Sequence, residues 1–203
     1  QRSNSIYVNH EKHSNRLALL HGTIISAIVD SKMDEHGPLI AEVMVAWAQA
    51  GVMLSTLTSK EISKLKDEGK VDKLCYGGAK AKGDKPCISH RPHEAQIYGA
   101  TYIQQAYLMR DQFTKEQFKI IDEYIDILYK KYIKPWAEKE LTTKKHARGF
   151  IQMADGTISV LSYLAWKDKP EAAAEWIKKG ISKADKVVYQ DGYIHNNSFR
   201  GVR

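Results

Sequence analysis

Thr114-Lys-Glu-Gln-Phe-Lys-Ile-Ile-Asp-Glu-Tyr-Ile-Asp-Ile-Leu-Tyr-Lys-Lys-Tyr132 decides the fold class. Its large apolar residues Phe118, Ile121, Ile125, Leu128 and Tyr132 recur at steps of three and four, which places them on one face of an α-helix. Thr114-Lys-Glu-Gln117 has the form of a capping box, in which the two side chains satisfy each other's orphan backbone N–H groups. Pro135, which lacks an N–H and crowds the preceding turn, is expected to interrupt the helix.

The same spacing runs through Leu17 to Val29, Leu39 to Leu54, Ala95 to Met109, Thr157 to Trp166 and Ala172 to Val188. Thr58-Ser-Lys-Glu61 opens a shorter, highly charged helix whose Lys and Glu residues form an exposed face with i,i+4 pairs. Breakers are expected at His36-Gly37-Pro38, in the Gly-rich stretch between the cysteines, at Arg91-Pro92, at Gly149 and at Pro170. The period-two alternation of a half-buried strand is essentially missing. The expectation is an all-α protein of about seven helices in antiparallel succession. Residues 1–203 are expected to form one domain, since no linker divides them and chains of this size usually share one core. Ala46-Trp47-Ala48 and Ala165-Trp166 echo each other, and such small-residue faces suit close helix packing.

No segment approaches the ~20 consecutive apolar residues of a membrane span, so no membrane partner is expected. The formal net charge of +7 favours polyanions, among them nucleic acid, acidic polysaccharide and anionic lipid. No helix-turn-helix signature, RNA-binding motif or interleaved basic-aromatic patch is present, which ranks nucleic acid last. Cys75 and Cys87 enclose Tyr-Gly-Gly-Ala-Lys-Ala-Lys-Gly-Asp-Lys-Pro, a stretch with little to order it. A bridge there would remove about 3 kcal/mol of unfolded-state freedom. It would also place the protein in an oxidising compartment, periplasmic or secreted. The ligand spacing of a zinc site is absent, and neither a metal nor another cofactor is expected.

Chemistry concentrates near the end of the chain. Tyr193, His195, Asn196, Asn197 and Arg200 fall within eight residues and together can carry a proton, donate to a carboxylate and hold an anion. Glu175-Trp-Ile-Lys-Lys-Gly-Ile, followed by Gln190-Asp-Gly-Tyr-Ile-His and then Arg200, resembles the C-terminal part of the alginate lyase family of polysaccharide lyases. Ala41-Glu-Val-Met-Val-Ala-Trp-Ala-Gln-Ala-Gly-Val-Met-Leu54 resembles an earlier helix of that family, and Glu94 to Leu108 its polar, aromatic-rich cleft helix. The resemblance implies an incomplete α/α toroid, a stack of antiparallel helix hairpins, and cleavage of a uronic-acid polymer such as alginate or polymannuronate by β-elimination.

The family's Asn-Asn-His tripeptide aligns, without gaps from Trp176, with Ile151-Gln-Met153. A seven-residue shift brings His146 to the place, and Gln152 offers an amide. The family's catalytic Tyr would follow Arg203, so a partial toroid lacking its C-terminal helices is expected. In β-elimination a base takes the proton beside the carboxylate, whose charge must first be neutralised, and an acid protonates the leaving oxygen. The resemblance assigns the carboxylate to Arg200, an amide donor to Asn196 or Asn197, and the base to His146 or His195. Tyr193 is the available Tyr, although it matches no acid position of the family. His90, Arg91, His93, Gln96, Tyr98 and Gln152 are candidates for the substrate groove. The aromatic row Tyr98, Tyr102 and Tyr107 also suits a core. The competing class is a helical-repeat module that holds acidic polysaccharide without chemistry.

Overall fold

The computed structural model describes residues 10–51, 54, 59–70, 94–142 and 149–184. Apart from short turns between the elements these are helical, as α1 (His10–Val29), α2 (Met33–Gln49), α3 (Ser59–Asp67), α4 (Glu94–Leu108), α5 (Lys115–Leu128), α6 (Lys134–Thr142), α7 (Gly149–Trp166) and α8 (Pro170–Ala184). A 3-10 turn at Arg110–Gln112 joins α4 to α5, and a π turn at Tyr129–Ile133 joins α5 to α6. The expected all-α class is therefore observed.

The Thr114 capping box forms as the sequence requires. The Gln117 N–H donates to Thr114 Oγ1 at 3.2 Å, and the Thr114 N–H donates to Gln117 Oε1 at 2.9 Å. Ile121, Ile125 and Leu128 are fully buried, and each contributes roughly 1.5–3 kcal/mol on leaving water. Pro135 does not end the rod, contrary to the expectation. One turn widens to π geometry, with the Lys134 N–H bonded to the Tyr129 carbonyl, and α6 carries the proline in its first turn.

The break expected at His36-Gly37-Pro38 also falls elsewhere. The chain reverses at Ser31, which takes the left-handed conformation at φ 54. The Lys32 N–H reaches the Ala27 carbonyl at 2.7 Å and the Ser31 N–H reaches the Ile28 carbonyl at 3.1 Å, a Schellman motif. α2 then starts at Met33 and runs through Pro38, whose ring is exposed, so the lost hydrogen bond lies early in the helix on its wet side. Gly37 is buried under the Gln112 side chain. Because Ser31 bears a Cβ in a conformation that glycine adopts freely, Ser31→Gly is expected to stabilise the fold by about 0.5–1 kcal/mol in urea denaturation. A loss of stability would contradict this account of the turn. Asp168, at φ 51, ends α7 in the same way.

Three hairpins, α1–α2, α4–α5 and α7–α8, stand side by side in two layers. One layer holds α1, α4 and α7, with α4 between the other two. The other holds α2, the α5–α6 rod and α8. Tyr102 reaches across the layers to donate to the Met44 carbonyl at 2.7 Å, stacks on Trp47 and meets Tyr124 edge-on. At the contact between α6 and α7, a methyl group on Gly156 would lie 3.0 Å from the Trp136 ring and 3.4 Å from the Ala137 Cα. Glycine is what lets these two helices come so close.

Candidate functional site

Two contacts set the direction of α7 against α4. Gln104 Nε2 donates to Ser162 Oγ at 3.0 Å, and Arg110 donates twice to the Asp168 carboxylate, at 3.0 and 2.7 Å. Both pairs are 58 residues apart, so α4 and α7 run parallel. α8 returns antiparallel, with Gly180 against Thr157. α2 runs antiparallel to α4, since Gly37 meets Gln112 and Met44 meets Tyr102. The described body consequently has two unlike ends. The tight turns at Ser31, at Arg110–Gln112 and at Asp168 share one end. The starts of α1, α4 and α7 and the last residues of α2, α6 and α8 share the other.

That second end is where the stretches carrying the sequence-derived candidates join the fold. His93 directly precedes Glu94 of α4, His146 stands three residues before Gly149 of α7, and Tyr193 to Arg200 follow α8. Gln96 belongs to the first turn of α4 and Gln152 to the first turn of α7. Tyr98 is half-buried and packs against the core, Tyr102 is fully buried and Tyr107 is half-exposed, so the aromatic row divides between packing and surface. His90, Arg91, His93, His146, Tyr193, His195, Asn196, Asn197 and Arg200 lie outside the described residues, as do Cys75 and Cys87.

Electrostatics at this end follow from the backbone. Three helices begin there and three others end there, so the partial positive charges at the starts of α1, α4 and α7 lie among the partial negative charges at the ends of α2, α6 and α8. α3 adds a polar face. Its Lys64 pairs with Glu68 at 3.8 Å, the i,i+4 contact expected from the sequence, and Lys70 meets the same carboxylate at 2.7 Å. The π turn presents Lys131 Nζ and Tyr132 Oη to the Leu54 carbonyl, each at 2.9 Å, anchoring the chain beyond α2.

A polar cluster that sequence reasoning missed lies on the contact between α5 and α7. Lys167 Nζ donates to Asp122 Oδ1 at 2.6 Å and Asp126 Oδ1 at 2.9 Å. Trp166 Nε1 donates to Asp122 at 2.8 Å and Tyr163 Oη to Asp126 at 2.9 Å. The Tyr163 ring lies flat on Tyr129 at 3.6 Å. Asp122 and Asp126 are four apart on α5, so their common face was visible in the sequence, but the lysine between them comes from the turn just beyond α7, more than forty residues away.

Burial pushes the Asp126 carboxyl up, yet the hydrogen bonds from Lys167 and Tyr163 and the nearby positive charges outweigh it and hold the group below its usual range. Burial likewise lowers Lys167, and its two carboxylate partners more than reverse this. Burial, followed by the bond to Asp126, pushes the Tyr163 hydroxyl well up. Every member faces a satisfied partner, and a phenol made less acidic is a poor proton donor at neutral pH, so this cluster is a clamp between helices rather than a reaction centre.

Lys167→Met would leave two carboxylates facing each other, and is expected to cost roughly 1–3 kcal/mol near neutral pH, less than a fully buried pair because water reaches the site. The Asp126 contribution is present above the unfolded carboxyl value of about 3.9 and is lost as pH falls through its lower folded value. The Lys167 contribution is present below about 10.4 and is lost as pH rises through its higher folded value. Denaturation curves of wild type and Lys167→Met should therefore converge in acid. A constant gap down to the lowest pH would disprove the assignment.

Among the described residues no group of three or more His, Cys, Asp or Glu side chains is placed to hold a metal ion, and no helix is long and apolar enough to cross a membrane. The chain matches no protein-family model, no curated protein and no solved structure.

Proposed function

We propose that the protein is a polysaccharide lyase that cleaves a uronic-acid polymer, of the alginate or polymannuronate kind, by β-elimination, on a partial α/α toroid. The observation that carries this reading is the common end at which α4 and α7 begin and α8 ends. Three stretches far apart in sequence, ending at His93, passing through His146 and running from Tyr193 to Arg200, are joined to the body there.

In this reading Arg200 binds the uronate carboxylate as a two-pronged donor, and Asn196 or Asn197 adds an amide N–H. Neutralising the carboxylate makes the neighbouring C5 proton removable, because the charge of the carbanion is then held in place. His146 or His195 takes the proton. A second group, for which Tyr193 is the candidate, protonates the departing glycosidic oxygen, leaving an unsaturated uronate. His90, Arg91, His93, Gln96, Tyr98 and Gln152 line the groove for neighbouring sugars. A Cys75–Cys87 bridge and a periplasmic or secreted location accompany the same reading.

The test is direct. Incubated with polymannuronate or polyglucuronate, the protein is expected to release oligosaccharides with the ultraviolet absorbance of a conjugated uronate. Binding of the polymer with no unsaturated product from neutral to alkaline pH would replace the lyase with a non-catalytic polysaccharide-binding module.

A further inference from the structure

Leu19 is 73% exposed on α1, at the rim of a groove of about 630 Å3 between α1 and the start of α2. Gly22 sits in the middle of that helix, where glycine is less stable than alanine, and a methyl group there would meet nothing within 4 Å. Within the described residues, then, no neighbour of its own chain requires the glycine. Arg16, Leu19, Thr23, Ser26 and Asp30 are all exposed and recur at steps of three and four, the spacing of a seam between paired helices.

The seam carries Arg16 at one end and Asp30 at the other, where Lys32 and His36 also line the groove, with Thr23 midway between them. A second copy of α1 laid antiparallel across Thr23 puts each Arg16 opposite the other copy's Asp30, and each Leu19 over the other copy's Ser26 and Ala27, which line the groove. Ser26 Oγ donates to Asp30 Oδ2 at 3.1 Å, which holds that carboxylate on the seam. We propose that α1 is the contact helix of a two-fold homodimer, packed antiparallel on the same helix of a second copy.

The charge pattern selects this occupant. A chain of net charge +7 repels its own copy over most of its surface, and a seam that pairs unlike charges only when two copies run antiparallel offers a place where that repulsion is offset. Contact through one helix and the start of the next lies at the small end of stable interfaces, roughly 1,200 Å2 in all, so the dimer is expected to dissociate in the micromolar range. This inference is independent of the lyase reading.

Sedimentation velocity across the micromolar range tests it. A concentration-dependent dimer is expected, lost in Leu19→Lys and weakened about tenfold by Arg16→Asp or by Asp30→Arg, since each single reversal sets like charges opposite at two symmetric positions. The double variant R16D/D30R restores both pairs and is expected to restore the dimer. Circular dichroism checks that these surface changes leave the helices intact. A monomer at every concentration, a dimer indifferent to Leu19→Lys, or a charge swap that restores nothing would overturn the proposal.

Discussion

Trp166→Ala is expected to lower the stability of the fold by about 3–5 kcal/mol, the range for deleting a fully buried tryptophan. Only 1% of Trp166 is exposed, and its ring stacks on Phe118 at 4.9 Å and meets Phe113 edge-on at 6.5 Å. The Arg110 guanidinium lies 5.5 Å from the ring centre and is held there by Asp168, which directly follows Lys167 beyond the end of α7. Alanine would open a cavity where α7 meets α5 and the 3-10 turn, and would remove the indole N–H from Asp122. For a chain of this length the melting temperature should fall by roughly 10 °C. Trp166→Phe keeps much of the ring but not the N–H, so it should cost less than half as much. Urea denaturation followed by circular dichroism decides it, and a loss below about 1 kcal/mol for Trp166→Ala would mean that the helix contact relaxes to fill the space.

Arg200→Ala is expected to reduce turnover of a uronate polymer by about 10²–10³-fold, the usual loss when a donor to developing negative charge is removed. Helical content should be unchanged. Arg200→Lys should recover only part of the rate, because an ammonium supplies the charge without the two-pronged geometry that matches a carboxylate. His146→Ala and His195→Ala separate the two candidate bases. The true base should lose turnover while retaining polymer binding, whereas a turn residue should cost modest stability and little rate. Full activity in Arg200→Ala would remove this residue from the mechanism and, with it, the main anchor of the lyase reading.

The helical class was legible because each helix carries its own record. Phe118, Ile121, Ile125 and Leu128 repeat at the helical period, Thr114 and Gln117 cap each other, and Pro170 occupies the first position of α8. Those are local signals, and local hydrogen bonding and one-sided burial act on them directly. The i,i+4 pair of Lys64 and Glu68 was legible for the same reason. The two misplaced breaks were also local readings, and packing overrode them. Around Pro38 the buried face formed by Ile40, Ala41, Met44 and Val45 offsets one missing hydrogen bond, and a π turn absorbs Pro135.

Spacing along the chain carries no information about which helix lies beside which. The parallel register of α4 and α7, the clamp of Lys167 between Asp122 and Asp126, and the bond from Arg110 to Asp168 all join residues at least forty apart. They form because apolar faces must be buried against each other and the buried polar groups then need partners. The composition and the residue types of Tyr193 to Arg200 were enough to suggest an acidic polymer and proton-transfer chemistry. That the starts of α4 and α7 and the end of α8 share one end of the body was decided only when the hairpins packed, because the direction of each helix is set by its neighbours and not by its own sequence.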